Sequence, residues 1–260
     1  MNAINKILIP MNFSDSAMNA FQYALELIKT NGHVQIILLN VIEEDEHSIE
    51  AMEVMNQFEE LKSHIPEYVE RLEIIIKHGV LIDTIRETIA NQDPSLVIMG
   101  TKGKPQSLMH SESNTSQLVR KLDRSVLVVP QIVTKGQITN IAVAVDDEID
   151  NPSDLGVVRN LAEWFNAKIH VLTIQQPVAR LVPDFHQAYT LEHYFESLDH
   201  QHAFAEDEEV LHGIERYVSD HEIDLLVILP KTHAKFGQPS EGELTRTLIL
   251  QSQTPLLIVD

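Results

Sequence analysis

Cysteine is absent from all 260 residues, which removes disulfides, thiolate chemistry and cysteine-bound zinc or iron–sulfur centres together. Positive charge is scarce too. Lys and Arg number 19 against 39 Asp and Glu, and a net charge of -20 argues against nucleic acid or an anionic membrane as the main partner. No apolar run approaches the ~20 residues needed to cross a bilayer, and the opening MNAINKILIP has no signal-peptide pattern, so the expected compartment is the cytoplasm. A nucleophile elbow of the G-x-S-x-G type is also missing. Ser14, Asp15 and Ser16 read as a helix start with no ordered His or Asp partner, so no catalytic residue is assigned and a non-catalytic protein is expected.

What is present is a pattern of short, unbroken apolar runs. Ile4–Pro10, Val34–Val41, Leu72–Ile76, Leu96–Met99 and Val126–Val129 read as buried strands. Between them, apolar residues recur at helical spacing: Ala17, Phe21, Ala24, Leu25 and Ile28 behind an N-cap at Ser14, then Ile49, Met52, Phe58 and Leu61, then Leu81, Ile82, Ile85 and Ile89. Strands that do not alternate belong to a parallel sheet covered on both faces. The order then returns. Ile7 and Ile141 lie 134 apart, as do Phe21 and Leu155, and the spacing settles at 129 for Ile82 and Leu211, Leu96 and Leu225, and Val129 and Ile258. A unit this long is a domain and not a solenoid repeat, so two domains are expected, 1–134 and 135–260.

Chemistry concentrates in the stretch Ser95–Pro130. Gly100 and Gly103 follow a strand, the polar residues Ser113, Asn114, Thr115 and Ser116 precede Leu118, Val119 and Leu122, and a second strand closes the unit. Such a glycine loop before a helix suits an anion, because backbone amides approach closely and the helix start is electropositive. Lys102, Lys104, Arg120, Lys121 and Arg124 against Glu112 and Asp123 give a local balance of +3 inside an acidic chain. At the 129 offset, Gly100 becomes Leu229 and Gly103 becomes Thr232, and the second loop carries Pro230 and Pro239, which reads as scaffold.

These residues resemble the universal stress protein family in its tandem form. ILIPMNFSDSAMNAFQYALEL is similar to the family's opening strand and helix, and MGTKG with SNTSQLVRKLDRSVLVVP to its nucleotide loop and closing strand. The resemblance implies an α/β fold of two tandem, open, parallel five-stranded sheets with helices on both faces. It implies ATP or AMP, with Mg²⁺, held in the first domain by Pro10, Met11, Asn12, Val41, Met99, Gly100, Gly103, Ser113, Asn114, Thr115 and Ser116. Two positions depart from the family's pattern: Asn12 stands where binding members carry a carboxylate, and Ser113 where they carry glycine. The resemblance also implies that Val126–Val129 lies beside Leu256–Val259, with homodimerisation of whole chains open. Alternatives are a stress-related scaffold that binds no nucleotide, or a weak ATP-hydrolysing enzyme.

Other clusters have plainer readings. His186, His193 and His200 are spaced by seven, but the repeat places His200 on a strand, so no metal site is assigned. Asp146, Asp147 and Glu148 read as a solvated loop at a strand end, and Phe185, Tyr189, Tyr194 and Phe195 as a helix packing face.

Overall fold

The computed structural model describes residues 3–29, 31–42, 48–101, 114–119, 121–133, 136–145, 155–176, 191, 194–229 and 243–259. The first half runs β1 (Lys6–Pro10), α1 (Asp15–Leu27), β2 (Gln35–Ile42), α2 (Ile49–His64), a 3-10 turn (Pro66–Arg71), β3 (Leu72–His78), α3 (Leu81–Gln92), β4 (Leu96–Thr101), α4 (Asn114–Val119) and β5 (Val126–Pro130). The second follows with β6 (Asn140–Ala144), α5 (Gly156–Phe165), β7 (Lys168–Gln175), β8 (His200–Glu206), α6 (Val210–Asp220), β9 (Leu225–Ile228), α7 (Glu243–Gln251) and β10 (Leu256–Ile258).

Local chemistry sets the helix ends. The Ser14 hydroxyl accepts from the Ala17 N–H at 3.4 Å and the Ser48 hydroxyl from the Ala51 N–H at 3.2 Å, satisfying donors that the first turn leaves open. α3 and α5 stop on Asp93 and Asn166, both left-handed at φ 47° and 51°, a conformation that short polar side chains tolerate.

Strand order across the sheet is β3-β2-β1-β4-β5-β10-β9-β6-β7-β8. Within each half every pair is parallel; at the centre β5 and β10 run antiparallel, with Val126 opposite Ile258, Leu127 opposite Leu257 and Val128 opposite Leu256. Two five-stranded sheets are thus one ten-stranded sheet. Two apolar layers cover its faces, and each crosses the seam. One joins Ile9, Phe21, Leu38, Ile98 and Leu127 to Leu257, Val143, Leu161 and Val171; the other joins Leu8, Ile85, Val97, Leu118 and Val128 to Leu256, Leu226, Ile214 and Leu248.

Two expectations need correction. α2 buries Ala51, Val54 and Phe58, while Ile49 and Met52 are 75% and 65% exposed, so the apolar spacing read for that helix belonged to two faces. The third strands align at an offset of 128, Leu72 with His200, because Arg71 closes the 3-10 turn and is not the strand's first residue.

Leu257 is fully buried opposite Leu127, inside a layer common to both halves. Leu257→Ala is expected to cost about 3 kcal/mol and to lower a single calorimetric transition. Two separate transitions, with only the second half affected, would contradict this.

Candidate functional site

The strand order reverses between β1 and β4: from β1 the chain proceeds outward to β2 and β3, whereas β4 and β5 lie on its other side. In open parallel sheets the crevice beyond the strands' carboxyl ends at such a reversal is where ligands bind. Here that end is built from Pro10 to Ser14 on one strand and Gly100 and Thr101 on the other.

Pro10 ends β1 opposite Leu39. Met11 is buried; its N–H donates to the Leu39 carbonyl at 2.8 Å and its own carbonyl accepts from the Asn40 amide at 2.7 Å. Asn12 stands exposed, and its Oδ1 accepts from both the N–H (3.2 Å) and the hydroxyl (2.7 Å) of Ser14. A backbone N–H can only donate, so this contact fixes the oxygen inward and leaves the Asn12 amide hydrogens facing out. Phe13 between them is left-handed at φ 56°, which turns the chain so that Ser14 caps α1.

Gly100 has a reason of its own. A Cβ there would lie 1.8 Å from the Ser16 carbonyl oxygen and 2.4 Å from its carbon, so α1 can rest on the end of β4 only because this side chain is missing. Thr115, buried, donates its hydroxyl to the Gly100 carbonyl at 3.4 Å and ties α4 to the same point. Met99 is buried and Val41 half-buried, both against the apolar layer under α3 and α4. Asn114 and Ser116 lie in the first turn of α4, while Gly103, Ser113, Lys102, Lys104 and the acidic trio Asp146, Asp147 and Glu148 fall outside the described residues. Asn40 is absent from the expected set. It is buried, its Oδ1 has no partner among the described residues, and a polar residue inside the apolar run QIILLNVI was the available signal.

The chain can now be set beside known proteins. Residues 3–130, from before β1 to the end of β5, match the model of the Universal stress protein family. Through those residues, the chain is similar to the universal stress protein family. Over its whole length the fold is similar to that of a universal stress protein from Archaeoglobus fulgidus, with 15% identity, a TM-score of 0.72 and 98% of each chain covered. A functionally unknown protein from Pseudomonas aeruginosa PAO1 is similar at 16% identity and a TM-score of 0.69, covering 98% of this chain and 92% of that one. The cytoplasmic domain of a prokaryotic cation chloride cotransporter follows the same path at 10% identity and a TM-score of 0.58, over 99% and 95% of the two chains. At such identities the likeness is one of fold. No curated protein sequence matches the chain.

The second half of the chain holds a polar cluster that the sequence reading passed over. His170 of β7 is buried, with Nδ1 2.8 Å from the Tyr217 hydroxyl and 3.3 Å from the Gln201 amide nitrogen, and among the described residues its Nε2 has no partner. His221 stacks on Tyr217 at 3.8 Å between ring centroids. Burial pushes the His170 imidazole below its ordinary 6.5; the Lys168 ammonium and His221 add to this, and Asp199 opposes it. On β8 the rings of His200 and His202 are 6.5 Å apart, and among the described residues no group of three metal-ligating side chains occurs.

Two measurements follow from these contacts. Gly100→Ala is expected to destabilise by about 3 kcal/mol or more, since backbone and not a flexible tip must move. Gly32→Ala, with no atom within 4 Å of the new methyl, is expected to leave chemical denaturation nearly unchanged. For His170, the folded chain binds fewer protons than the unfolded chain just below pH 6.5. The stability owed to the neutral imidazole is therefore complete above that pH and is lost as pH falls through the lower folded value. His170→Gln is expected to flatten that acid-side decline in urea titrations at stepped pH; an unchanged slope would show that other groups cause it.

Proposed function

We propose that this is a tandem universal stress protein of the cytoplasm that binds an adenine nucleotide, ATP with Mg²⁺ or AMP, in the domain 1–134 without turning it over. In this reading the domain 135–260 serves as its fixed structural partner, and any pairing of whole chains uses surfaces outside the central seam. The observation that carries the proposal is the reversal of strand order between β1 and β4, where Asn12 turns two amide hydrogens outward beside the Gly100–Thr115 junction. The family match of residues 3–130 supports it, as does the excess of positive charge between Lys102 and Arg124. The second half has Leu229 in the place of Gly100, packed against the apolar layer, which favours scaffold there. Among the described residues, no helix is long and apolar enough to cross a membrane.

A scaffold that binds no nucleotide is favoured by one specific fact: Gly100, Met11 and Met99 already have structural duties. Isothermal titration separates the two readings. With ATP·Mg²⁺ a saturable heat is expected. Asn12→Asp would keep one oxygen for Ser14 and offer the other to a ribose hydroxyl, so it is expected to tighten binding about tenfold, or ~1.4 kcal/mol. Neither heat nor thermal shift at millimolar nucleotide, in the natural chain or in Asn12→Asp, would remove the nucleotide and leave the scaffold.

A further inference from the structure

The outer margins of the two halves are built differently. β3 and β8 are the two outermost strands. On β3 three devices shut the gap to α3. Glu73 accepts from the Gln92 amide at 3.1 Å, Ile75 packs into the apolar layer beneath the helix, and the Lys77 ammonium meets Glu87 at 3.1 Å. At the equivalent places β8 has Gln201, Ala203 and Ala205, and α6 has His221 and Arg216. None of these repeats the β3 contacts. Gln201 turns inward to His170 and the Tyr217 hydroxyl, and His221 stacks on Tyr217. Arg216 reaches only the end of the strand, at the Asp207 carboxylate (3.0 Å) and the Glu206 carbonyl (2.6 Å). A groove of about 370 Å³ is left, lined by both alanines, Tyr217 and His221.

Backbone groups face the same groove. The Asp199 carbonyl accepts from Ile169 and the Asp207 N–H donates to Gln175, so the odd-numbered residues of β8 direct their amides and carbonyls to β7. The alternate residues His200, His202 and Phe204 therefore turn theirs to the free edge, where among the described residues they meet no backbone partner. An unpaired edge of this kind is a template for another strand.

We propose that this groove takes an extended peptide segment of a partner protein, which adds to β8 as a further strand; the inference is independent of the nucleotide reading. An aliphatic side chain of the incoming segment fills the space over Ala203 and Ala205 against Tyr217, and its neighbour on the other face covers Phe204, which is 53% exposed. Charge selects the partner. Residues 200–220 contain Glu206, Asp207, Glu208, Glu209, Glu215 and Asp220 against Arg216 alone, so the same edge of a second copy brings like charges together, while lysines flanking a short aliphatic run are attracted.

The test uses the full chain and a fluorescein-labelled peptide of alternating valine and threonine with two lysines at each end. Fluorescence anisotropy is expected to rise on binding. His202→Pro removes an outward N–H without touching the ladder to β7, and Ala203→Ile restores the residue type found on β3. Each is expected to weaken binding at least tenfold with thermal unfolding unchanged, and a peptide N-methylated at alternate amides is expected not to bind. No anisotropy change with the natural chain, or equal binding of the methylated peptide, would overturn the proposal. So would a dimer of the natural chain in sedimentation velocity that His202→Pro dissociates, since the edge would then belong to a second copy.

Discussion

A parallel sheet that ends on the strand Val126–Pro130, buried along its length, cannot leave that strand as an open edge: the backbone groups would go unpaired and both apolar faces would stop at water. β10 supplies the missing neighbour, and the antiparallel match around Leu127 and Leu257 continues both apolar layers across it. This one ladder makes a single body of two modules. Because its strands oppose each other, the carboxyl ends of the strands point one way in the first half and the opposite way in the second. The crevice at β1 and β4 and its counterpart therefore lie on opposite edges of the sheet and cannot share a ligand. Whatever the first half binds, it binds with its own residues.

Constraint falls off with distance from the seam. Beside it, both copies keep buried Leu, Ile and Val. At the outer margins the copies have diverged: Ile75 and the Lys77–Glu87 pair hold β3 against α3, whereas at β8 Ala203 and Ala205 leave a groove beside the stacked Tyr217–His221 pair. The loss of an ion pair that is largely solvent-exposed costs little stability, about 0–1 kcal/mol, so the second copy was free to change there.

The strands were legible because burial on both faces writes continuous apolar runs into the sequence, as in ILIP of β1 and LVIM of β4. Capping was equally plain at Ser14, where a hydroxyl precedes a periodic helix. Illegible were the contacts between distant residues. Gly100 looked like a loop glycine, yet the atom that forbids a side chain there belongs to Ser16, far back in the chain. His170 interrupts KIHVLTIQ visibly, but its partners Gln201 and Tyr217 come from a later strand and helix that no local pattern joins to it. On α2, Ile49 and Met52 fit a helical spacing and still face solvent, because spacing fixes which residues share a side and not which side is covered.

Structural duty and binding at the first crevice are not exclusive. The bare Cα of Gly100 lets the first turn of α1 descend onto β4, and that turn is capped by Ser14, which in turn holds the Asn12 oxygen. Where Asn12 presents its amide hydrogens is thus set by how closely α1 approaches β4. A larger residue at position 100 lifts the helix and moves the donor with it, even though the donor itself is unchanged. Packing does not compete with a ligand for Gly100. It determines the geometry that a ligand would meet, and this is why a glycine required by a helix can also mark a site.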